Sequence, residues 1–288
     1  MTAVKRTHKL PSLLALFAKD EGAIEDKRRK IDPLPGLTPR EGVYTDPNRP
    51  HIKLERCSIP NEHGGFVVLR QIDPVKRDLV SVYPLAFSSE DADAYYTFFA
   101  NTEASKYTQP EIKMGAEVKK MRHTQFAYTA DGRTYTYNSY TSPGYPFSEM
   151  VHKMHNRIRE LAPGKYACDY FLMNKYLPTD HLGAHADKEA DLQPDAPIVG
   201  ACFGLGRYLI FRFLKRTAKE TKAAKGEKAA TRHPVLQFET THGMMYIMHP
   251  GCQQVLSHEV SKSLRGLRPN PKFTCRISAT GRTLRRAG

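Results

Sequence analysis

From Pro163-Gly164 to the end of this 288-residue chain, short apolar runs follow one another with turn residues between them, and that succession limits the fold more than any other feature. The runs Tyr166 to Tyr176, Ile198 to Phe203, Tyr208 to Leu214, Gly243 to Met248, Gln253 to His258 and Phe273 to Ser278 have the length and aromatic or β-branched content of strands. Earlier, Phe66 to Leu69 and Leu79 to Tyr83 read the same way. Ser88-Ser89-Glu90-Asp91 places hydroxyls and acids at a helix start, leading into Tyr95, Phe98 and Phe99 at helical spacing. A second helix is predicted from Ser148 to Leu161, with Val151, Met154, Ile158 and Leu161 on one side. Both helices are expected to cover one face of a sheet. Helices first and many short strands afterwards give an α+β protein with a β-sandwich core.

A hydrophobic share of 40% is enough to build one good-sized domain at this length. Residues 1–58 are rich in Lys, Arg, Pro and Asp and carry no sustained periodicity beyond a short apolar turn at Leu10 to Phe17. They read as a mobile basic extension, leaving 59–288 as the folded domain. Lys27-Arg28-Arg29-Lys30 resembles a nuclear import signal, although such a tetrad also suits a solvated tail. The formal charge of +14, from 44 Lys and Arg against 30 Asp and Glu, makes a polyanion the simplest partner, with solubility the alternative use of the same charge. Around 215–233, Lys215, Arg216, Lys219, Lys222, Lys225, Lys228 and Arg232 face only Glu220 and Glu227. This insertion suits phosphates without reading sequence, or is simply solvated. Five cysteines form no C-x-x-C pair, which fits a reducing compartment. No apolar run approaches the roughly 20 residues that span a bilayer, and Leu13 to Ala18 is too short for a signal segment. The expectation is an intracellular protein, nuclear or cytoplasmic, with no membrane and no obligatory protein partner.

The chemistry concentrates at His185-Ala186-Asp187. On a strand, residues two apart share a face, so His185 and Asp187 can offer an imidazole and a carboxylate to one metal ion. His258 is a plausible third ligand, and two His with one carboxylate make the facial triad of non-haem Fe(II) oxygenases. Among twelve histidines an H-x-D by itself also arises by chance. Arg276 and Arg282 shift the balance. They lie an even number of residues apart and can share a strand face, where a guanidinium grips the carboxylate of a cosubstrate through paired charge-assisted hydrogen bonds. His152 and His155 are at a zinc-compatible spacing but lack a fitting partner, and read as surface residues. His181 reads as a wall of the pocket mouth.

These residues, in this order, resemble the AlkB family of 2-oxoglutarate/Fe(II) dioxygenases over about Leu79 to Leu284. Asn174-Lys175-Tyr176 is similar to the family's N-x-Y, His185-Ala186-Asp187 to its H-x-D, and Arg276 to Arg282 to its R-x-N-x-T-x-R. Ala196-Pro197-Ile198, Phe203-Gly204-Leu205-Gly206-Arg207, Phe211-Arg212, Thr241-His242-Gly243 and Tyr135-Thr136-Tyr137 line up as well; the last, with Arg122, resembles the eukaryotic-type nucleic-acid demethylases. The chain departs from the family at Ser278, where Asn is usual, at Gly281, where a large residue is usual, and at Cys202, where Ser is common.

The resemblance implies a double-stranded β-helix, or jelly roll, with flanking helices and a metal between two sheets near one open end. It implies Fe(II) on His185, Asp187 and His258, with 2-oxoglutarate and dioxygen as cosubstrates. Arg276 would then clamp the distal carboxylate of 2-oxoglutarate, with Asn174 and Tyr176 bonding the same molecule and Arg282 near its other end. An aromatic at Tyr135 or Tyr137 would stack on a base taken out of its stack, beside Arg122, and Glu189 would accept from an exocyclic amine. Met114-Gly115 falls where duplex-repair relatives insert a wedge. The implied activity is oxidative demethylation of N-methylated bases such as 1-methyladenine and 3-methylcytosine in DNA, with RNA as a further substrate. The competing readings are the same chemistry on an RNA modification or a protein side chain in a regulatory role, and a non-catalytic nucleic-acid-binding module.

Overall fold

The computed structural model describes residues 42–114, 116–137, 139–142, 144–162, 167–215, 233–262, 267 and 270–285. The Leu10 to Phe17 turn, the Lys27-Arg28-Arg29-Lys30 cluster, the Met114 side chain with Gly115, and the basic insertion from Arg216 to Arg232 lie outside the described residues.

Along the chain come β1 (Gly42–Asp46), β2 (Arg49–Pro60), β3 (Phe66–Asp73), β4 (Arg77–Tyr83), helix α1 (Ser89–Thr97), β5 (Glu111–Met114), β6 (Glu117–Lys120), β7 (Thr124–Thr129), β8 (Tyr135–Tyr137), β9 (Tyr140–Ser142), β10 (Gly144–Pro146) and helix α2 (Glu149–Leu161). Then follow β11 (Tyr170–Tyr176), β12 (Leu182–His185), β13 (Ile198–Gly204), β14 (Arg207–Phe213), β15 (Leu236–Thr240), β16 (Met244–Met248), the short helix α3 (Cys252–Val255), β17 (Leu256–Val260) and β18 (Arg276–Arg282). A ten-stranded sheet has the order β1-β2-β3-β4-β16-β13-β18-β11-β7-β10, and a four-stranded sheet the order β12-β17-β14-β15. The two face each other as the jelly roll, and α1 and α2 cover the outer face of the larger one. No helix among the described residues is long and apolar enough to cross a membrane.

Strand alternation separates two apolar layers. On β13, Val199, Ala201 and Phe203 join the outer layer with Met245 and Ile247 of β16, Ile277 and Ala279 of β18, and the helix residues Tyr95, Phe99, Val151, Met154 and Ile158. The intervening Ile198 and Cys202 join Met244, Tyr246 and Met248 in the layer between the sheets, against Leu209 and Phe211 of β14 and Leu256 and Val260 of β17. The helices form where capping and one apolar stripe coincide. Ser88 accepts the Asp91 N–H at the start of α1. Ser148 does the same for Val151 in α2, whose buried residues are Val151, Met154, Ile158 and Leu161. Each such side chain, fully buried, contributes about 1.5–3 kcal/mol.

Three expectations are corrected. Residues 42–58, expected in the mobile extension, belong to β1 and β2, which pair with each other and with β3. Ile52 and Leu54 alternate with exposed His51 and Lys53 and pack into the inter-sheet layer, a period-2 signal too short to stand out among charges. The run Gln253 to His258 is not one strand. Gly251, at φ +90°, turns the chain into α3 before β17 begins at Leu256. The last strand begins at Arg276 rather than Phe273, and Phe273 and Cys275 pack under α1 from a loop instead.

Candidate active site

Register brings the inward residues of the large sheet into rows. Tyr176 lies opposite Arg276, Asn174 opposite Ser278, and Tyr170 opposite Arg282. On the far side of β18, Cys202 lies opposite Ser278 and Gly204 opposite Arg276. The even spacing of Asn174/Tyr176 and of Arg276/Arg282 therefore aims all four side chains between the sheets. Gly281 points the other way, where a Cβ would come within 2.8 Å of Phe171 Cε1 and 3.1 Å of Cys168 Sγ. The space a large residue would need at position 281 is filled by those two side chains.

On the small sheet His185 of β12 is paired with His258 of β17, their ring centroids 4.3 Å apart. Asp187 follows two residues later, with His185 Nε2 3.3 Å from its Oδ1. One ligand atom from each of the three residues lies within 4.8 Å of the other two. His185 Nδ1 is 2.9 Å from the Gly183 carbonyl. With its proton directed there, Nδ1 leaves the Nε2 lone pair facing Asp187 and His258. Two imidazole nitrogens and one carboxylate converging on one point fit an Fe(II) ion with open positions.

The charges around this point are set by burial and by one another. Burial pulls His258 down to about 3, and His185 beside it pulls the same way. Burial also pulls His185 down, but the Asp187 carboxylate more than restores it. Burial pushes the Asp187 carboxyl up, yet Arg282 and His185 hold it well below the usual carboxylate range. The Arg282–Asp187 pair is 2.8 Å long between side chains 7% and 2% exposed. The Asp187 N–H also donates to Gln253 Oε1 at 3.2 Å, a contact that α3 supplies and that no pattern in the sequence marks.

Arg276 is 1% exposed. Its guanidinium lies 5.2 Å from the Tyr176 ring centroid, with Nε 3.3 Å from Thr240 Oγ1 and one terminal nitrogen 3.4 Å from Cys202 Sγ. The other terminal nitrogen has no partner among the described residues. No carboxylate of the described residues pairs with Arg276. A buried unpaired guanidinium is costly, and a carboxylate ligand is what its planar fork is shaped to take. The groove fits 2-oxoglutarate. On the opposite side of Tyr176, the buried His123 stacks on the ring at 4.7 Å, a neighbour that sequence reading missed.

The expected substrate residues are placed unevenly. Tyr135 is 1% exposed, packed with Tyr170, Leu172 and Leu284 beneath the Arg282 guanidinium, 5.1 Å from its ring. That burial corrects the expectation that either tyrosine could serve for stacking; Tyr137, half-buried against the same cluster, remains. Glu189 is half-buried beside the Tyr135 hydroxyl, and burial, with Asp187 nearby, pushes its carboxyl up from the ordinary range. Arg122 is exposed just before β7, and no hydrogen bond or ion pair joins it to Tyr135, Tyr137 or Glu189. Between the loop after Asp187 and the Pro250 to Gln254 turn is a cavity of about 310 Å³, bounded by Asp187, Lys188, Glu189, Ile198, Met248 and Arg282. His155 Nε2 donates to the Ala167 carbonyl, 2.8 Å away, and with His152 the ring flanks Phe147; the two form no metal site with each other among the described residues. His181 is half-buried ahead of β12, with Nδ1 unpartnered.

A jelly roll that holds two histidines and an aspartate at one point, beside a buried arginine free to take a carboxylate, is a 2-oxoglutarate- and Fe(II)-dependent dioxygenase. Fe(II) is its cofactor, and 2-oxoglutarate and dioxygen are its cosubstrates. Residues 80–282 match the family model of the 2OG-Fe(II) oxygenase superfamily. The chain belongs to that superfamily and, within it, to the AlkB family. The Mus musculus protein described as DNA oxidative demethylase ALKBH2 is 28% identical over 197 residues, covering 67% of this chain and 78% of its own length. The Bos taurus protein of the same description is 26% identical over 212 residues, covering 69% and 72%. A solved structure of OsALKBH1 overlaps with a TM-score of 0.43 at 18% identity, over 72% of this chain and 99% of that one.

Proposed function

We propose that this protein is an oxidative demethylase of N-methylated bases such as 1-methyladenine and 3-methylcytosine in nucleic acid, with DNA as the first substrate. Its iron ligands on this reading are His185, Asp187 and His258. Arg276, Asn174 and Tyr176 hold 2-oxoglutarate, and Arg282 sits at its metal end. The observation that carries the substrate class is the Glu189 carboxyl, held beside the Asp187–Arg282 pair and next to the Tyr135 hydroxyl, an acceptor suited to an exocyclic amine. The net charge of +14 and the naming of both curated relatives as DNA oxidative demethylases support a polyanionic substrate.

Bound iron and 2-oxoglutarate supply the oxidant for a C–H bond, leaving succinate and carbon dioxide. One oxygen atom of dioxygen ends in succinate and the other on the methyl carbon, as N–CH2OH. That hemiaminal would then give its hydroxyl proton to solvent as the C=O of formaldehyde forms and the C–N bond breaks, the electron pair returning to the base nitrogen. The protein's own residues position the groups. Tyr137 offers a face for a base taken out of its stack, and Glu189 orients its Watson–Crick edge. The buried Asp187–Arg282 pair keeps the carboxylate ionised at the metal. Arg122 and Lys188, both exposed, suit phosphates. A nuclear location through Lys27-Arg28-Arg29-Lys30 belongs to the same reading.

The test is formaldehyde and succinate release from short 1-methyladenine and 3-methylcytosine oligonucleotides, as DNA and as RNA, with Fe(II) and 2-oxoglutarate. Stoichiometric formaldehyde and succinate are expected, with DNA preferred. A preference for RNA would move the role to RNA, and succinate without formaldehyde on any of them would overturn the substrate class.

A further inference from the structure

The two largest fully buried side chains of the described residues are both arginines, Arg207 and Arg276. The cosubstrate reading gives a task to Arg276 alone. Arg207 opens β14 on the small sheet, opposite Thr240 of β15. It is delivered by the turn Gly204-Leu205-Gly206. Gly204 has φ +87°, and a Cβ there would strike the Cys275 carbonyl. The Leu205 N–H donates to that same carbonyl at 3.0 Å, so the turn is seated on the residue preceding Arg276. Thr240 joins the two arginines: its hydroxyl donates to the Arg207 carbonyl at 2.9 Å and accepts from Arg276 Nε at 3.3 Å.

The Arg207 guanidinium donates to the carbonyls of Leu177 at 3.0 Å and Pro178 at 2.7 Å, the two residues that follow Tyr176. A longer contact of 3.4 Å reaches Gly206 O, and Nε has no partner. It forms no ion pair among the described residues. Asp180 acts on it only through space, and Glu239, whose carboxylate lies against Gly206, does not bond it. Burial, and then the charge of Arg276, pull Arg207 down from the ordinary arginine range. Arg207 and Arg276 are thus two buried like charges linked through Thr240, with no acid paired to either among the described residues, an arrangement that costs free energy until an anion arrives.

We propose that Arg207 is a second cosubstrate-positioning residue: Arg276 binds the distal carboxylate of 2-oxoglutarate directly, and Arg207 adds its charge to that end of the groove while pinning Leu177-Pro178 behind Tyr176. The inference rests on the 2-oxoglutarate reading of the groove. It adds that the affinity gained from the distal carboxylate depends on Arg207 as well as on Arg276.

The experiment is calorimetric binding to the Mn(II)-loaded full-length protein of two ligands that differ only at that end. 2-Oxoglutarate carries a carboxylate there, and 2-oxopentanoate a methyl group. Arg207→Gln is expected to weaken 2-oxoglutarate by about tenfold and 2-oxopentanoate by less than about twofold, because a lost charge matters only to the ligand that carries one. Arg207→Lys, which keeps the charge but not the guanidinium nitrogen shared by two carbonyls, is expected to stay within about threefold of wild type for 2-oxoglutarate. Equal weakening of both ligands by either variant would reduce Arg207 to a structural strut and overturn the proposal. Unchanged 2-oxoglutarate binding in Arg207→Gln would overturn it too. If Arg207→Gln does not fold, the Lys variant alone decides: equal weakening of both ligands overturns the proposal, and retained 2-oxoglutarate affinity supports it. Wild-type protein that binds neither ligand would instead sink the cosubstrate reading of the groove, a separate and recognisable failure.

Discussion

Removing Arg282 tests whether the charge organisation at the metal centre is as tightly coupled as the geometry implies. In Arg282→Met the Asp187 carboxylate keeps its position but loses a partner at 2.8 Å, with both side chains under a tenth exposed. Breaking a buried pair by removing one member leaves an uncompensated charge and costs about 3–5 kcal/mol. Asp187→Asn strands the guanidinium instead and is expected to cost a similar amount. The double variant strands neither group, so its loss should be smaller than the sum of the two by about 2–3 kcal/mol. Urea unfolding of the four proteins at pH 7.5 with EDTA measures this directly. Mn(II) should restore part of the stability of Arg282→Met, because a divalent cation neutralises Asp187 in place of the guanidinium, and should restore little in Asp187→Asn. Single-variant losses that simply add, within about 0.5 kcal/mol, would refute the coupling.

His185→Ala should abolish Mn(II) binding and turnover while leaving the urea midpoint of the metal-free protein within about 1 kcal/mol of wild type, because the ring is in the site and not in the apolar layers; retained binding in equilibrium dialysis would remove His185 from the ligand set. Burial holds His123 down at about 4, against the carboxamides of Gln125 and Asn174. The unfolded chain, with histidine near 6.5, therefore binds the extra proton as pH falls from about 6.5 to 4, and stability drops through that window by up to about 3 kcal/mol. His123→Asn should flatten that part of the stability curve, and urea midpoints with the same pH slope in both proteins would contradict the assignment. Ser88→Ala removes the hydroxyl that accepts the Asp91 N–H at the start of α1. It should lower stability by about 1 kcal/mol and leave 2-oxoglutarate affinity, read by calorimetry, unchanged.

What the sequence revealed about the site follows from strand parity. Asn174 with Tyr176 and Arg276 with Arg282 differ by even numbers on strands that face inward there, whereas Asp187, two past His185, lies beyond the end of β12 and reaches the same point from the loop. Parity says which face a residue shares, but not what lies over it. Tyr135 and Tyr137 illustrate the limit: two apart on β8, one is covered by Arg282 and the other is only half-covered. Arg207 is another case. After Gly-Leu-Gly it has every local mark of an exposed turn residue, and its burial arises from contacts with residues 177 and 178, far away in sequence. Gln253 could not be singled out because the helical turn that presents it and the strand after it merge into one apolar run. The strands at 42–60 were hidden by composition, since only Ile52 and Leu54 of β2 point fully inward and basic residues surround them.

The two arginines of β18 share one strand face and differ in what surrounds them. Both are buried on the same face, yet Arg282 is already neutralised by Asp187, whereas Arg276 meets only neutral groups and shares its end of the groove with Arg207. A dicarboxylate such as 2-oxoglutarate could in principle lie in the groove either way round. On the proposed cosubstrate reading, the unneutralised charge at the Arg276 end would draw the carboxylate with no second function. The 2-oxo acid head would then face the end that carries His185, Asp187 and His258. Orientation then follows from the placement of one aspartate: with Asp187→Asn, Arg282 becomes a second open carboxylate site, and the preference for one orientation is expected to weaken along with the metal.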